Sequence, residues 1–304
     1  MQQTVKPRRS ALFLPGINAR ALAKAKTIPA DALILDLEDS VAPEKKESAR
    51  ALVGEAVAEG GFGHREVVVR INGFETPWAA GDIAAIVPAA PDAILVPKVS
   101  RSDDVRRMRS ALKAASARPT IAIWAMMETP LAILNAGAIA AAAVEEGPAL
   151  AALVVGANDL AAVTRTRQVP GRWTMLPWLA TCVAAGRAFD VSVIDAVYSD
   201  FRDPDGFRAE CEQGRDLGMD GKTVIHPNQV ETCNEVFAPT ADEIAWARVI
   251  LAAFDRKENL DKNVITIDGR MIERLHATQA RRTVEIAKAI RSLDEAERRA
   301  SGRR

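Results

Sequence analysis

The segment Thr120–Pro130, TIAIWAMMETP, decides how this chain is read. It is an apolar run of strand character that ends in a single carboxylate, Glu128, followed by Thr129 and Pro130. An unpaired carboxylate inside a protein costs several kcal/mol, so this strand end is expected to face solvent or a ligand. A second run, Leu150–Leu160, LAALVVGANDL, finishes in the same way at Asp159, about one βα unit further on. The two acids can then converge on one rim. With few nitrogen ligands in competition, a hard cation held by Glu128 and Asp159 is the first expectation for the site.

Outward from this pair, eight apolar, β-branched segments recur. They are SALFLPG from Ser10, ALILDLED from Ala32, EVVVRIN from Glu66, AILVPK from Ala93, TIAIWAMMET, LAALVVGAND, VSVIDAVY from Val191 and KTVIHP from Lys222. Helix signals separate them: Pro43 opens and Gly60 closes one helix, Ser102 is placed to cap another, and Pro130, Pro177 and Pro204 stand where helices begin. Near-continuous hydrophobic runs suit parallel strands covered on both faces. Eight such units predict a TIM (β/α)8 barrel over 1–239. The alternative is a doubly wound open sheet, but the first turn, PGINARALAK, lacks the GxGxxG phosphate fingerprint. Residues 240–304 fall outside the repeats. Thr240 and Glu243 form a capping box for a helix to about Lys257, NVITIDGRMIE reads as strand with an Asp268-Gly269 turn, and a polar helix ends in ERRASGRR. This region is expected to be a helical arm or lid, and the final charge run a frayed, solvated helix end.

Composition narrows the function. The 304 residues carry 40 basic and 40 acidic side chains, so there is no electrostatic footprint for nucleic acid or an anionic membrane. The basic start, MQQTVKPRRS, leads into an apolar stretch too brief for a signal sequence or a membrane span, and a cytoplasmic location is expected. Cys182, Cys211 and Cys233 have no CxxC spacing and read as buried, reduced thiols; His64, His226 and His276 are too scattered for a zinc site.

Polar residues gather where the strands end: Asp36, Glu38 and Asp39; Arg70 and Asn72; Lys98; Glu128; Asp159; Asp195; His226. In a barrel those ends share the catalytic face. Asp36, Glu38 and Asp39 are expected to hold the waters of a cation bound by Glu128 and Asp159. Arg70 is read as a substrate-binding and charge-stabilising cation, or else as the partner of those acids. Lys98 raises a Schiff-base alternative, weakened by acids that keep its amine protonated. His226 reads as a hydrogen-bonded strand-end residue. The loop from Thr164 to Trp173, TRTRQVPGRW, carries three arginines with little opposing charge and reads as a cover for an anionic substrate or as a solvated loop.

Taken together, ALFLPG, LILDLEDSVAPEKKESAR, VVVRINGFETPW, ILVPKV, METPLAILNAGAIA, VVGANDLAA, GMDGKTVIHPNQV and DGRMIE resemble the citrate lyase β-subunit family, which includes the malyl-CoA and citramalyl-CoA lyases. The matches run across nearly the whole chain in the family's order. The resemblance implies a TIM-barrel carbon–carbon lyase that depends on Mg2+, with Mn2+ as a substitute, and works on small molecules. Its expected substrate is a 3-hydroxyacyl-CoA such as malyl-CoA or citramalyl-CoA, cleaved to or formed from a 2-keto acid and an acyl-CoA. It places the metal ligands on Glu128 and Asp159, the substrate arginine on Arg70, and CoA-ester contacts on Phe13, Lys24, Asn158, Ile225 and His226. It also implies a homo-oligomer, a trimer or hexamer, in which the arm completes a neighbour's site. Two positions depart from the pattern: Asn18 stands where malyl-CoA lyases have an arginine, with Arg20 nearby, and Glu273 replaces the arm's catalytic aspartate. The alternatives are a metal-dependent aldolase on free keto acids, a malyl-CoA thioesterase, or a non-catalytic keto-acid- and CoA-binding subunit.

Overall fold

The computed structural model describes residues 6–300, with side chains described to residue 298. Two compact units divide the chain, one from Arg8 to Phe237 and a second containing Ala238 onward. In the first, the eight expected segments form β1 (Ser10–Pro15), β2 (Ala32–Asp36), β3 (Glu66–Arg70), β4 (Ala93–Val96), β5 (Ala122–Met127), β6 (Leu150–Val155), β7 (Ser192–Asp195) and β8 (Gly221–Val224). Each pairs in parallel with its sequence neighbour, and β1 pairs with β8, so the sheet closes into a barrel. The open-sheet alternative is thereby excluded.

Alternation along the strands sorts the side chains into two layers, because successive residues point to opposite faces. Ala11, Ile34, Val68, Leu95, Trp124, Met126, Val154 and Ile194 pack inside the barrel. Leu12, Leu33, Val69, Ile94, Ala125, Leu153 and Val193 pack outward into the larger core under the helices. Both faces are dry, which is why the strands read as unbroken apolar runs. Arg8 closes the N-terminal end: it pairs with Glu66 at 2.8 Å, and its guanidinium lies 5.2 Å from the Trp124 ring centroid.

The helices mostly follow their signals. Pro43 opens a single 3-10 turn before the helix Lys46–Glu59, and Gly60 ends it at φ +70°. The exception is Ser102. The backbone N–H groups of Ser100 and Arg101 donate instead to the Asp104 carboxylate, at 2.8 and 2.9 Å, so the N-terminus of the helix Ser102–Ala114 is held by an acid in its first turn.

In the second unit the Thr240–Glu243 capping box forms as expected, but its helix, Ala241–Phe254, stops three residues before Lys257. The strands β9 (Val264–Ile267) and β10 (Arg270–Glu273) form a hairpin whose turn residues, Asp268 and Gly269, both have positive φ. A long amphipathic helix, Arg274–Ala300, packs on Ala241–Phe254 through a cluster that includes Ile250, Phe254, Ile272 and Ala280. Of the final charge run, residues 301–304 lie outside the described residues, as do residues 1–5 at the start.

Candidate active site

Register places the functional side chains. Asp36 follows Ile34 by two residues, Arg70 follows Val68 and Glu128 follows Met126, so all three continue the inward-facing series past the last apolar layer. They emerge at the C-terminal mouth, in a cavity of about 370 Å3 lined also by Phe13, Asp39, Asn158, Asp159 and Ile225. Glu128 and Asp159, distant in sequence, share this one cavity.

Arg70 is the fixed cation of the floor. Its Nε and Nη2 donate to the two oxygens of Asp36 at 2.6 and 2.7 Å, and Nη1 stands 2.9 Å from Glu38 and 3.4 Å from Asp39. Its guanidinium lies 4.9 Å from the Phe13 ring centroid. Such a bidentate pair fixes orientation as well as charge. Burial alone would raise Asp36, but the hydrogen bonds and charge of Arg70 outweigh it and hold the carboxyl below its ordinary value. Glu38 is pushed up, chiefly by burial and further by Asp39, despite Arg70. The pairing expected between Arg70 and the DLED acids is therefore present. Asp36 is committed to Arg70 and to the N–H groups of Glu38 and Ser40.

Glu128 is 2 % exposed, and its Oε1 accepts the backbone N–H of Lys98 at 2.7 Å. Burial, with added repulsion from Glu38 and Asp159, raises its carboxyl to about 7 against this hydrogen bond. Gly156 leaves room beside it, since a Cβ there would stand 2.6 Å from Glu128 Oε2. Asp159 enters from the first turn of the helix Ala157–Thr164. Together these features suit a divalent cation: the mouth gathers Asp36, Glu38, Asp39, Glu128 and Asp159 against Arg70 and Lys98, and the missing side chain of Gly156 lets Glu128 take its place there. Among the described residues no set of three or more His, Cys, Asp or Glu forms a protein cage. Magnesium needs none, because it takes one or two carboxylates and fills its shell with water and substrate oxygens.

The other expected residues divide between this cavity and the surface. Lys98 sits at φ +54°, with its amine 3.4 Å from Glu38 and held protonated: burial lowers it, but Glu38, Asp39 and Glu128 raise it more. A Schiff-base role finds no support in a charged amine. Asn158 lines the cavity and accepts from Gln168 at 2.9 Å, and Ile225 is partly exposed at the rim. Lys24 projects from the exposed face of the helix Ala19–Ala25, which Asn18 caps through the Ala21 N–H; Arg20 is exposed on the same helix. His226 is exposed, stacked on Phe201 at 4.9 Å and bonded to Asn228 at 2.7 Å. Glu273 ends β10 in the second unit, its N–H donating to His276 Nδ1 at 2.9 Å.

Two sequence expectations are corrected. Asp195 follows the inward Ile194 by one residue, so it points outward into the helix layer. There it binds Lys222 at 2.9 Å and Arg172 at 2.7 Å, with Glu210 2.7 Å from Lys222. Arg172 is therefore buried in an ion network and does not cover a substrate. The roles of Gly156 and of the Lys98 backbone N–H emerge only from the structure. The first was signalled only by a glycine directly after an apolar strand, and the second has no signature in side-chain chemistry.

A closed barrel with an arginine and paired carboxylates at its C-terminal mouth defines an enzyme built on the acid-lined β/α-barrel plan. The chain belongs to the HpcH/HpaI aldolase/citrate lyase family, whose model matches residues 9–227. Carbon–carbon lyase chemistry fits that family. A (3S)-malyl-CoA thioesterase of Cereibacter sphaeroides is 44% identical over 290 residues, covering 95% of this chain and 98% of that protein. The citrate lyase subunit beta of Leuconostoc mesenteroides is 34% identical over 292 residues, covering 94% and 95%. Among solved structures, CitE of Mycobacterium tuberculosis in complex with magnesium, acetoacetate and coenzyme A aligns with a TM-score of 0.72 at 27% identity, covering 93% of this chain and 98% of that one.

These relatives correct the expected reaction. The relative at 44% identity is named a thioesterase and the lyase subunit stands at 34%, so cleavage of a 3-hydroxyacyl-CoA into keto acid and acyl-CoA gives way to the thioesterase alternative. Among the described residues no helix is long and apolar enough to cross a membrane.

Proposed function

We propose that this protein hydrolyses the thioester of malyl-CoA or a close analogue, releasing malate and free CoA. The observation that carries this reading is the 44% identity, over nearly the full length of both chains, to a (3S)-malyl-CoA thioesterase. The mouth of the barrel suits the substrate's charge: Arg70, fixed by Asp36, offers a cation to the thioester carbonyl as negative charge develops there. Glu128 and Asp159 would hold Mg2+, which when bound supplies a Lewis acid for the substrate's hydroxyl and carboxylate oxygens. Phe13, Asn158 and Ile225 at the rim are the chain's contacts for the acyl end of the CoA ester, with Lys24 and His226 further out.

In this reading the arm, residues 240–304, completes a neighbouring subunit's site within a trimer or hexamer, and Glu273 takes the proton of the attacking water. Exposed apolar side chains on and beside its hairpin, Val264, Met271 and Leu275, support a role in assembly. Three free, buried cysteines fit a cytoplasmic location.

The test is a panel of malyl-CoA, methylmalyl-CoA and citramalyl-CoA with Mg2+, read for free thiol and for keto acid in parallel. Thiol without keto acid is the expected result; keto acid in step with substrate loss overturns the proposal.

A further inference from the structure

Behind the acid triplet lies a buried lysine that no step so far uses. Lys46, the first residue of the helix Lys46–Glu59, is 5 % exposed. Its ammonium donates to the carbonyl oxygens of Leu37 at 2.8 Å and Glu38 at 2.7 Å, and lies 5.2 Å from the Trp78 ring centroid. Asn72, two residues beyond Arg70, donates to the same Leu37 carbonyl at 2.9 Å and to Asp82 at 2.7 Å, and Arg50 holds Asp82 in turn at 2.9 Å. The Leu37–Glu38 peptides are therefore clamped from behind. The acids on and beside these peptides, Asp36, Glu38 and Asp39, are the groups that grip Arg70 from the front.

A turn carrying three acids within four residues, Asp36, Glu38 and Asp39, repels itself and would splay without such an anchor. A buried ammonium supplies both donors for its carbonyls and a compensating charge. From this arrangement we infer that Lys46 is a positioning residue for Arg70: it fixes the Asp36–Asp39 turn that holds the guanidinium at the cavity floor. This rests on the proposed role of Arg70 in turnover. Glu128 and Asp159 are carried by other elements, the end of β5 and the helix Ala157–Thr164, and accept no hydrogen bond from Lys46.

The experiment compares Lys46→Met in the full-length protein with and without Arg70→Met. If Lys46 acts through Arg70, K46M lowers kcat by tenfold or more in the wild-type background and by less than twofold in the R70M background. Equal losses in both backgrounds would overturn the inference. Hydrogen exchange, which needs no substrate, reads it independently of the proposed reaction: K46M should speed exchange at least tenfold across residues 37–41 while 123–128 and 157–164 keep wild-type protection. Unchanged exchange in the turn, or loosening spread over the whole barrel, contradicts it even if no thioester is turned over. K46R, which keeps the charge, should restore most of the turn's protection.

Discussion

The backbone N–H of Lys98 donates to Glu128 Oε1 at 2.7 Å, and Lys98 adopts a left-handed φ of +54° where it does so. A main-chain donor from the end of β4 thus orients the carboxylate at the end of β5. One oxygen is held while the other packs against Gly156, where a Cβ would stand 2.6 Å from it.

That geometry makes cation binding depend on pH. Burial and the nearby acids raise Glu128 to about 7, and a metal ligand must be deprotonated. Apparent Mg2+ affinity, measured by titration calorimetry, should fall about tenfold per pH unit below that value and level off above it. Glu128→Gln should bind weakly and without that slope.

The same shift sets the stability of the metal-free protein. The folded carboxyl titrates near 7 and the ordinary one near 4.5, so between them the native state binds more protons. Stability from the neutral acid is full below the ordinary value and is lost as pH climbs through 7, on the order of 3 kcal/mol in all. In thermal unfolding with chelator, wild type should therefore lose ground to E128Q from pH 5 to pH 8.

Gly156→Ala tests this close approach directly. The new Cβ would stand 2.5 Å from Glu128 Cβ and 3.1 Å from Met126 Cε, so the ligand must move. We expect a stability loss of about 1–3 kcal/mol from overpacking. Mg2+ affinity should fall at least tenfold, a change that a merely local repacking would not produce.

Arg70→Met leaves Asp36 buried without its cation and Glu38 with only Lys98, 3.4 Å away. Removing one member of a buried ion pair costs about 3–5 kcal/mol, and kcat/KM should drop by two orders of magnitude or more. Denaturant unfolding and steady-state kinetics measure the two effects separately.

The contrast is Lys222, fully buried between Asp195 and Glu210 on the outer side of the barrel. Lys222→Met should destabilise by about 3 kcal/mol while leaving kcat within threefold in the folded fraction. A large loss of kcat at unchanged stability would return Asp195 to the active site.

The barrel was legible because both faces of its strands are buried, which leaves eight unbroken apolar runs punctuated by prolines and glycines. The acids were legible because carboxylates at the ends of such runs have few structural uses. What composition cannot show is parity. Asp36 and Asp195 both end strands, yet Asp36 lies two residues past an inward side chain and Asp195 one, and that difference sends them to opposite faces. Nor can a sequence show that Lys98 serves through its main chain, or that Arg172 in an apparently open loop is buried against Asp195. The reaction itself lay beyond the reach of the motifs, since a thioesterase at 44% identity and a lyase subunit at 34% both align with nearly the whole chain.

The most direct test of the central claim is turnover of (3S)-malyl-CoA with Mg2+ in 18O-labelled water, with every product followed by mass spectrometry. Hydrolysis predicts malate carrying one 18O in the former thioester carboxyl, with free CoA in equal amount. Acetyl-CoA and glyoxylate formed at the rate of substrate loss would contradict it.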